Sequence, residues 1–243
     1  MQSLASDPGW GMNKKIIVLL AVCSAAAQTA AANEVGFYIG GYVGQATKEV
    51  SRVPYDELNA VIQEVASFTP LEERISFDDT DTAFGISMGY RLNRFLALEA
   101  GYAKLGTVTY KSRATGDYPF DSGFLNTTVE SQTSGFTATV LGVWPLTRDW
   151  ELFARAGMLF ATNRLRLSFS AEGEDFIPPI GNSGAGSLSK STTDTYAGVG
   201  VSRRILEIYE LRVEYHRVFD GGEEVTGGKG DLDAALLGLT VTF

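Results

Sequence analysis

The sequence predicts an all-β fold, an eight-stranded antiparallel up-and-down transmembrane β-barrel, on three observations. Period-two segments separated by turn residues run through most of the 243-residue chain. The connections between them alternate strictly between short and long, which sends all short turns to one end of a meander. Within the middle of each segment the ionisable side chains fall opposite the bulky apolar ones, so one face is lipid-like and the other polar.

The N-terminus comes first. Asn13, Lys14 and Lys15 precede the apolar run 16–27, and small residues lead to Ala30-Ala31-Ala32 before Asn33. A basic start, an apolar core too short to span and an A-x-A exit read as a signal peptide over residues 1–32, with Ala27 a second cut. Met12 is the more natural start than Met1. A lipoprotein reading would use Cys23, but Val22 stands where a small residue is usual. Export leaves residues 33–243 as the barrel domain, without the chain's one cysteine and therefore without thiol chemistry.

Eight strands follow, at residues 37–48, 82–92, 95–109, 134–145, 150–169, 193–204, 209–219 and 231–243. Three connections are tight: Asn93-Arg94, 146–149 and 205–208. Four are long and rich in Gly, Ser, Asp and Pro: 49–81, 110–133, 170–192 and 220–230. Short periplasmic turns, long external loops and an even strand number are what an outer-membrane barrel requires.

The faces carry the test. Leu211, Val213 and Tyr215 oppose Glu210, Arg212, Glu214 and His216. Phe84, Ile86, Met88 and Tyr90 oppose Ala83, Gly85, Ser87 and Gly89. Leu96, Leu98, Ala100 and Tyr102 oppose a face with Glu99, and Leu152, Met158 and Phe160 oppose one with Arg155. A cation in lipid near the midplane costs about 2–4 kcal/mol, so the charged face is expected inside. Alternation alone also suits a soluble secreted barrel with the apolar face inward. The crowding of Gly and Ala on the polar face and the aromatics at strand ends favour the membrane form, as does the missing cysteine framework. A mean hydropathy of +0.01 is then expected, because half of each strand faces a polar lumen.

Several stretches resemble the transmembrane domain of the outer membrane protein A family and its small-barrel relatives. They are GFYIGGYVGQA at 36–46, GYRLNRFLALEAGYAKLG at 89–106, WPLTRDWELFARAGM at 144–158, AGVGVSRRI at 197–205 and LRVEYHRVFD at 211–220, with LGLTVTF closing the chain. The resemblance implies that Leu239, Val241 and Phe243 form the signal read by the barrel-assembly machinery. It also implies a lumen charge network of Glu99, Arg155, Arg212 and Glu214. Buried charges of this kind must pair with one another or with water. Where relatives place further charges, this chain has Thr139, Leu141 and Ser202. A rigid plug and a gated ion path are both open to such a network.

Other chemistry finds little support in the residues. The single histidine, His216, has no serine at a same-face spacing over 215–220, so no nucleophile–base pair forms and the chain is expected not to be an enzyme. Asp78, Asp79 and Asp81 lack the oxygen-rich loop of a calcium site and read as a solvated acidic rim. No cofactor or metal is expected. The net charge of −9 argues against nucleic acid. Residues 54–67 read as an amphipathic helix through Leu58, Val61, Ile62 and Val65, packed on the other loops, capping the barrel or docking a partner. Arg164 and Arg166 alternate outward beyond the apolar part of their strand and are candidates for lipopolysaccharide phosphates. The expectation is therefore a monomeric outer-membrane protein in contact with lipid and lipopolysaccharide. Its role is structural, with a host or surface ligand met through the loops; the alternative is a narrow porin-like channel for ions or small solutes.

Overall fold

The computed structural model describes residues 35–117, 122–172, 183–223 and 228–243; the signal-peptide reading of residues 1–32 lies outside them. In chain order the elements are β1 (Gly36–Lys48), α1 (Val53–Val65), β2 (Thr69–Asp78), β3 (Thr80–Asn93), β4 (Leu96–Asp117) and β5 (Ser122–Pro145). They continue with β6 (Trp150–Glu172), β7 (Ser183–Arg204), β8 (Tyr209–Glu223) and β9 (Gly228–Thr242). Neighbours pair antiparallel in the order β1-β3-β4-β5-β6-β7-β8-β9. The ring closes where β9 meets β1, from Tyr38 opposite Thr242 to Lys48 opposite Leu232. The Phe243 amide donates to the Phe37 carbonyl at the seam. Eight strands thus enclose an interior, and closure removes the unpaired edges that a bilayer would not tolerate.

The orientation of the faces decides between the two barrel types. Phe37, Ile39, Val43, Ile86, Met88, Phe136, Met158, Val199, Val213 and Leu237 all point outward with roughly half or more of their surface exposed. Glu99, Arg155, Arg212, Glu214 and His216 point inward and are buried. A water-soluble barrel could not carry an apolar belt of that extent around its whole circumference. Aromatic pairs edge the belt at both ends: Phe37 with Tyr90 at 4.8 Å, and Tyr102 with Phe136 at 5.2 Å between ring centroids.

Three of the four long connections are shorter than the sequence suggests, because their strands continue. β4 runs on to Asp117 and β5 starts at Ser122; β6 reaches Glu172 and β7 starts at Ser183; β8 reaches Glu223 and β9 starts at Gly228. Beyond the lipid the alternation persists in muted form. Val108, Tyr110, Ser112 and Ala114 are buried inward, while Lys111, Arg113 and Thr115 are exposed. Polar residues on both faces hide the period-two pattern from a hydrophobicity reading.

The first long connection holds a further strand. β2 pairs with the upper half of β4, from Asp78 opposite Thr109 to Thr69 opposite Asp117, and is separated from β3 only by Asp79. It is the upward continuation of β3, offset at a break that matches a bulge between Lys104 and Thr107 on β4. Gly106, in that bulge, has φ +96°, a left-handed backbone that favours glycine. Above the membrane belt β2, β4, β5, β6 and β7 therefore form a curved wall. α1 packs on its inner face.

Candidate functional site

Five features stand along the barrel axis. At the short-turn end Arg91 and Glu151 make a two-pronged ion pair, with N–O distances of 3.2 and 2.5 Å. Next comes the central cluster. Glu99 Oε1 accepts from Arg212 Nη1 at 2.8 Å and from the Tyr38 hydroxyl at 2.8 Å. Arg155 bridges two acids, reaching Glu99 Oε2 at 3.0 Å through Nη1 and Glu214 Oε2 at 2.6 Å through Nη2. Arg212 Nε also donates to Glu210 Oε1 at 2.8 Å. Glu214 continues to His216 Nε2 at 2.6 Å, and the other ring nitrogen of His216 meets the Tyr196 hydroxyl. The structure thus brings Glu99, Arg155, Arg212 and Glu214 into one cluster.

Every strand contribution follows from register. Glu99 lies opposite Thr139, Arg155 opposite Gly198, and Arg212 opposite Ser202, so small residues flank the long charged chains. Glycine makes room for the aromatics in the same way. A Cβ on Gly89 would lie 2.2 Å from the Tyr38 ring, the ring that delivers the hydroxyl to Glu99. Gly89→Val should therefore push Tyr38 aside and destabilise the barrel by about 1–3 kcal/mol through overpacking. A urea midpoint in lipid vesicles checks this; an unchanged midpoint would mean that Tyr38 is not held against Gly89.

Sequence reasoning missed Glu210, Tyr38 and the Arg91–Glu151 pair as members of the interior network. Glu210 was visible two residues from Arg212 on the same face. Tyr38 was not, because nothing in a local pattern marks a partner sixty-one positions away.

An apolar layer follows, in which Tyr42, Leu105, Leu159, Tyr196, Val218 and Leu236 pack together. Above it lies a second polar layer. Thr133 donates to Asn163 at 2.8 Å, Asn163 to Thr192 at 3.0 Å, and Thr192 to Asp194 at 2.9 Å. Lys48 reaches the Gly228 carbonyl at 3.3 Å and is 5% exposed. A cavity of about 10 Å³ beside it is room for about one water.

The mouth is closed by α1. Pro54 in the first turn and the Arg52–Asp56 pair at 2.9 Å start the helix. Ser67, at φ 55°, ends it. Tyr55, Asn59, Ile62 and Gln63 are buried, whereas Val61 and Val65 are about half exposed. This corrects the face read from Leu58, Val61, Ile62 and Val65: a polar latch rotates the helix. Glu73 Oε1 accepts from Asn59 at 2.6 Å, Gln63 at 3.0 Å and Ser112 at 2.6 Å. Ile62, Ala66 and Phe68 pack on Ala114, Leu125 and Ala171 of the wall. Tyr55 stacks on Tyr110 at 5.9 Å, and the Tyr110 hydroxyl donates to Asp56 at 3.0 Å. Burial pushes the Tyr55 hydroxyl up to about 12; burial, then the carboxylate of Asp56, raises Tyr110 as well.

The remaining candidate residues lie apart. Arg164 and Arg166 are exposed on the outer face of β6 beyond the belt. Leu239 is exposed to the membrane side, while Val241, flanked by Ile39 and Tyr209, is 7% exposed. Asp78 and Asp81 accept hydrogen bonds from the nearby Thr80 and Thr82 amides, and Asp79 from the Thr80 hydroxyl. Among the described residues no group of three or more His, Cys, Asp or Glu is arranged to hold a metal ion.

A closed antiparallel ring with an apolar outside and a charged inside defines a transmembrane barrel of the bacterial outer membrane. The chain belongs to the outer membrane protein beta-barrel domain family, whose model matches residues 16–243, and its location is the outer membrane. Similar solved structures include Neisserial surface protein A, at 16% identity over 86% of this chain and 97% of that one, with a TM-score of 0.42. OprG of Pseudomonas aeruginosa gives 10% identity, 87% and 97% coverage and a TM-score of 0.44. The attachment invasion locus protein Ail of Yersinia pestis gives 13%, 86% and 99%, with 0.38. No curated protein matches the chain.

Proposed function

We propose that this protein is a non-conducting structural barrel that presents an extracellular wall and cap for surface interaction. The observation that carries this reading is the central cluster, where Glu99, Arg155, Arg212 and Glu214 pair across the lumen between apolar layers. An ion would have to displace paired charges in a low-dielectric interior, which costs several kcal/mol for each uncompensated group. Among the described residues below the cap, His216 is engaged by Glu214 and Tyr196, and no serine, threonine or cysteine is hydrogen-bonded to it as a nucleophile would be.

The short turns and both ends of the barrel face the periplasm, and the long hairpins face outward, as the asymmetry of hairpin length supports. Residues 1–32 are removed on export. Leu239, Val241 and Phe243 present the closing strand to the assembly machinery, and the closed ring functions as a monomer. Arg164 and Arg166 meet phosphates of the lipopolysaccharide layer, because they leave the wall at the level where headgroups begin. Reconstitution in planar bilayers tests the principal reading. The expected record shows no reproducible unitary step, and a reproducible step in wild type would establish the narrow channel instead.

A further inference from the structure

On the outer face of the wall, just beyond the apolar belt, β2, β4, β5 and β6 form a groove of about 340 Å³. Its floor is laid out by register. Asp78, Thr109, Glu130 and Arg166 stand opposite one another on successive strands, and Thr107, Gln132 and Arg164 make the next row toward the membrane. The charges sort by strand: acids at the β2 end, arginines on β6 about 14 Å away, three strand spacings across, and Glu130 between. Lys104, with Thr80 and Asp81 at the start of β3, completes the lining. Among the described residues Arg164, Arg166 and Glu130 make no ion pair, although Glu130 lies directly opposite Arg166.

A groove with three cations and three carboxylates, none of them ion-paired among the described residues, selects against simple ions. A bare phosphate would be drawn to Arg164 and Arg166 and repelled by Glu130, Asp78 and Asp81. A bare amine would meet the reverse. A ligand carrying both charges a few ångströms apart meets the arginines of β6 and Glu130 of the adjoining β5 together. The geometry points to a phosphoethanolamine group as the ligand, its phosphate held between Arg164 and Arg166 and its ammonium turned toward Glu130 on the adjoining strand, with Asp78 extending the negative field beyond it. Phe136 and Phe160, opposed to one another just below the two rows, set the lipid boundary, so the groove lies at headgroup depth. This inference rests on the reading of Arg164 and Arg166 as headgroup contacts and specifies which headgroup. Phosphatidylethanolamine and a lipid A carrying phosphoethanolamine supply the same chemistry.

The test uses the purified full chain in detergent micelles, titrated with glycerophosphoethanolamine and with glycerol 3-phosphate. Wild type should bind the first about fivefold to tenfold more tightly, the yield of one or two surface ion pairs. Asp78→Asn with Glu130→Gln should bring the ratio to about one while phosphate binding persists. Arg164→Gln with Arg166→Gln should abolish binding of both probes. These outer-face substitutions leave the closed ring intact, and an unchanged heat-dependent gel shift verifies folding. Nanodiscs containing phosphatidylethanolamine, or lipid A with and without phosphoethanolamine, then identify the source by which lipid is retained in native mass spectra. Equal or tighter binding of glycerol 3-phosphate by wild type would overturn the zwitterion proposal and leave the phosphate reading standing. No binding of either probe, with lipid retention indifferent to the arginine changes, would overturn both.

Discussion

Arg155→Met is expected to destabilise the barrel by about 3–5 kcal/mol, the cost of breaking a buried ion pair from one side. Arg155 is 6% exposed and touches both Glu99 and Glu214. Without it, Arg212 alone must balance Glu99, Glu210 and Glu214, and Glu214 keeps only His216 as a close partner. The penalty comes from the stranded carboxylates rather than from the lost attraction. Methionine fills much of the same volume, so a cavity is not the cause. Removing a stranded charge as well should therefore restore stability: Arg155→Met with Glu214→Gln is expected to recover a large part of the loss. Lysine in place of Arg155 should recover less, since one ammonium cannot span two carboxylates as the guanidinium fork does. Urea unfolding in lipid vesicles measures all three variants. A double variant no more stable than Arg155→Met would show that the cluster acts through packing, not charge.

The same cluster shows what a linear sequence can and cannot reveal. Leu211, Val213 and Tyr215 against Arg212, Glu214 and His216 fix an inside and an outside, because a misplaced cation in lipid costs more than local propensity can repay. That penalty makes the membrane belt legible strand by strand. It vanishes above the belt, where water solvates either face. There the run from Tyr110 to Thr115 reads as loop although it is strand, and β2 escapes notice because Thr69–Asp78 carries Pro70, three acids and an arginine. Partners for the interior charges are less legible still. Tyr38 and Glu99 meet because β3 lies between their strands and places Tyr38, Gly89 and Glu99 in one row, and that register is set by pairing between strands rather than by either segment alone.

The cap yields the second large effect, and it is local. Three donors converge on one oxygen of Glu73, and two of their carriers, Asn59 and Ser112, are 4% exposed. Glu73→Ala removes the acceptor and leaves those groups without it. Hydrogen bonds to a charged partner contribute about 1.5–3 kcal/mol each when well buried, but Glu73 itself is exposed, so the sum is discounted to about 2–3 kcal/mol. That energy belongs to docking of α1 rather than to the ring, because the helix rests on the wall through a separate cluster around Ile62 and Phe68. Amide exchange over Val53–Val65 should then quicken by roughly 30- to 150-fold, while the urea midpoint of the barrel stays in place. Glu73→Gln, which keeps an acceptor oxygen but no charge, should fall between. If exchange across α1 were unchanged in Glu73→Ala, the helix would be held by its apolar contacts alone, and the polar latch would not be what turns Val61 and Val65 toward solvent. If the urea midpoint fell together with the exchange protection, α1 would be an integral part of the barrel's cooperative unit instead of a cap upon it.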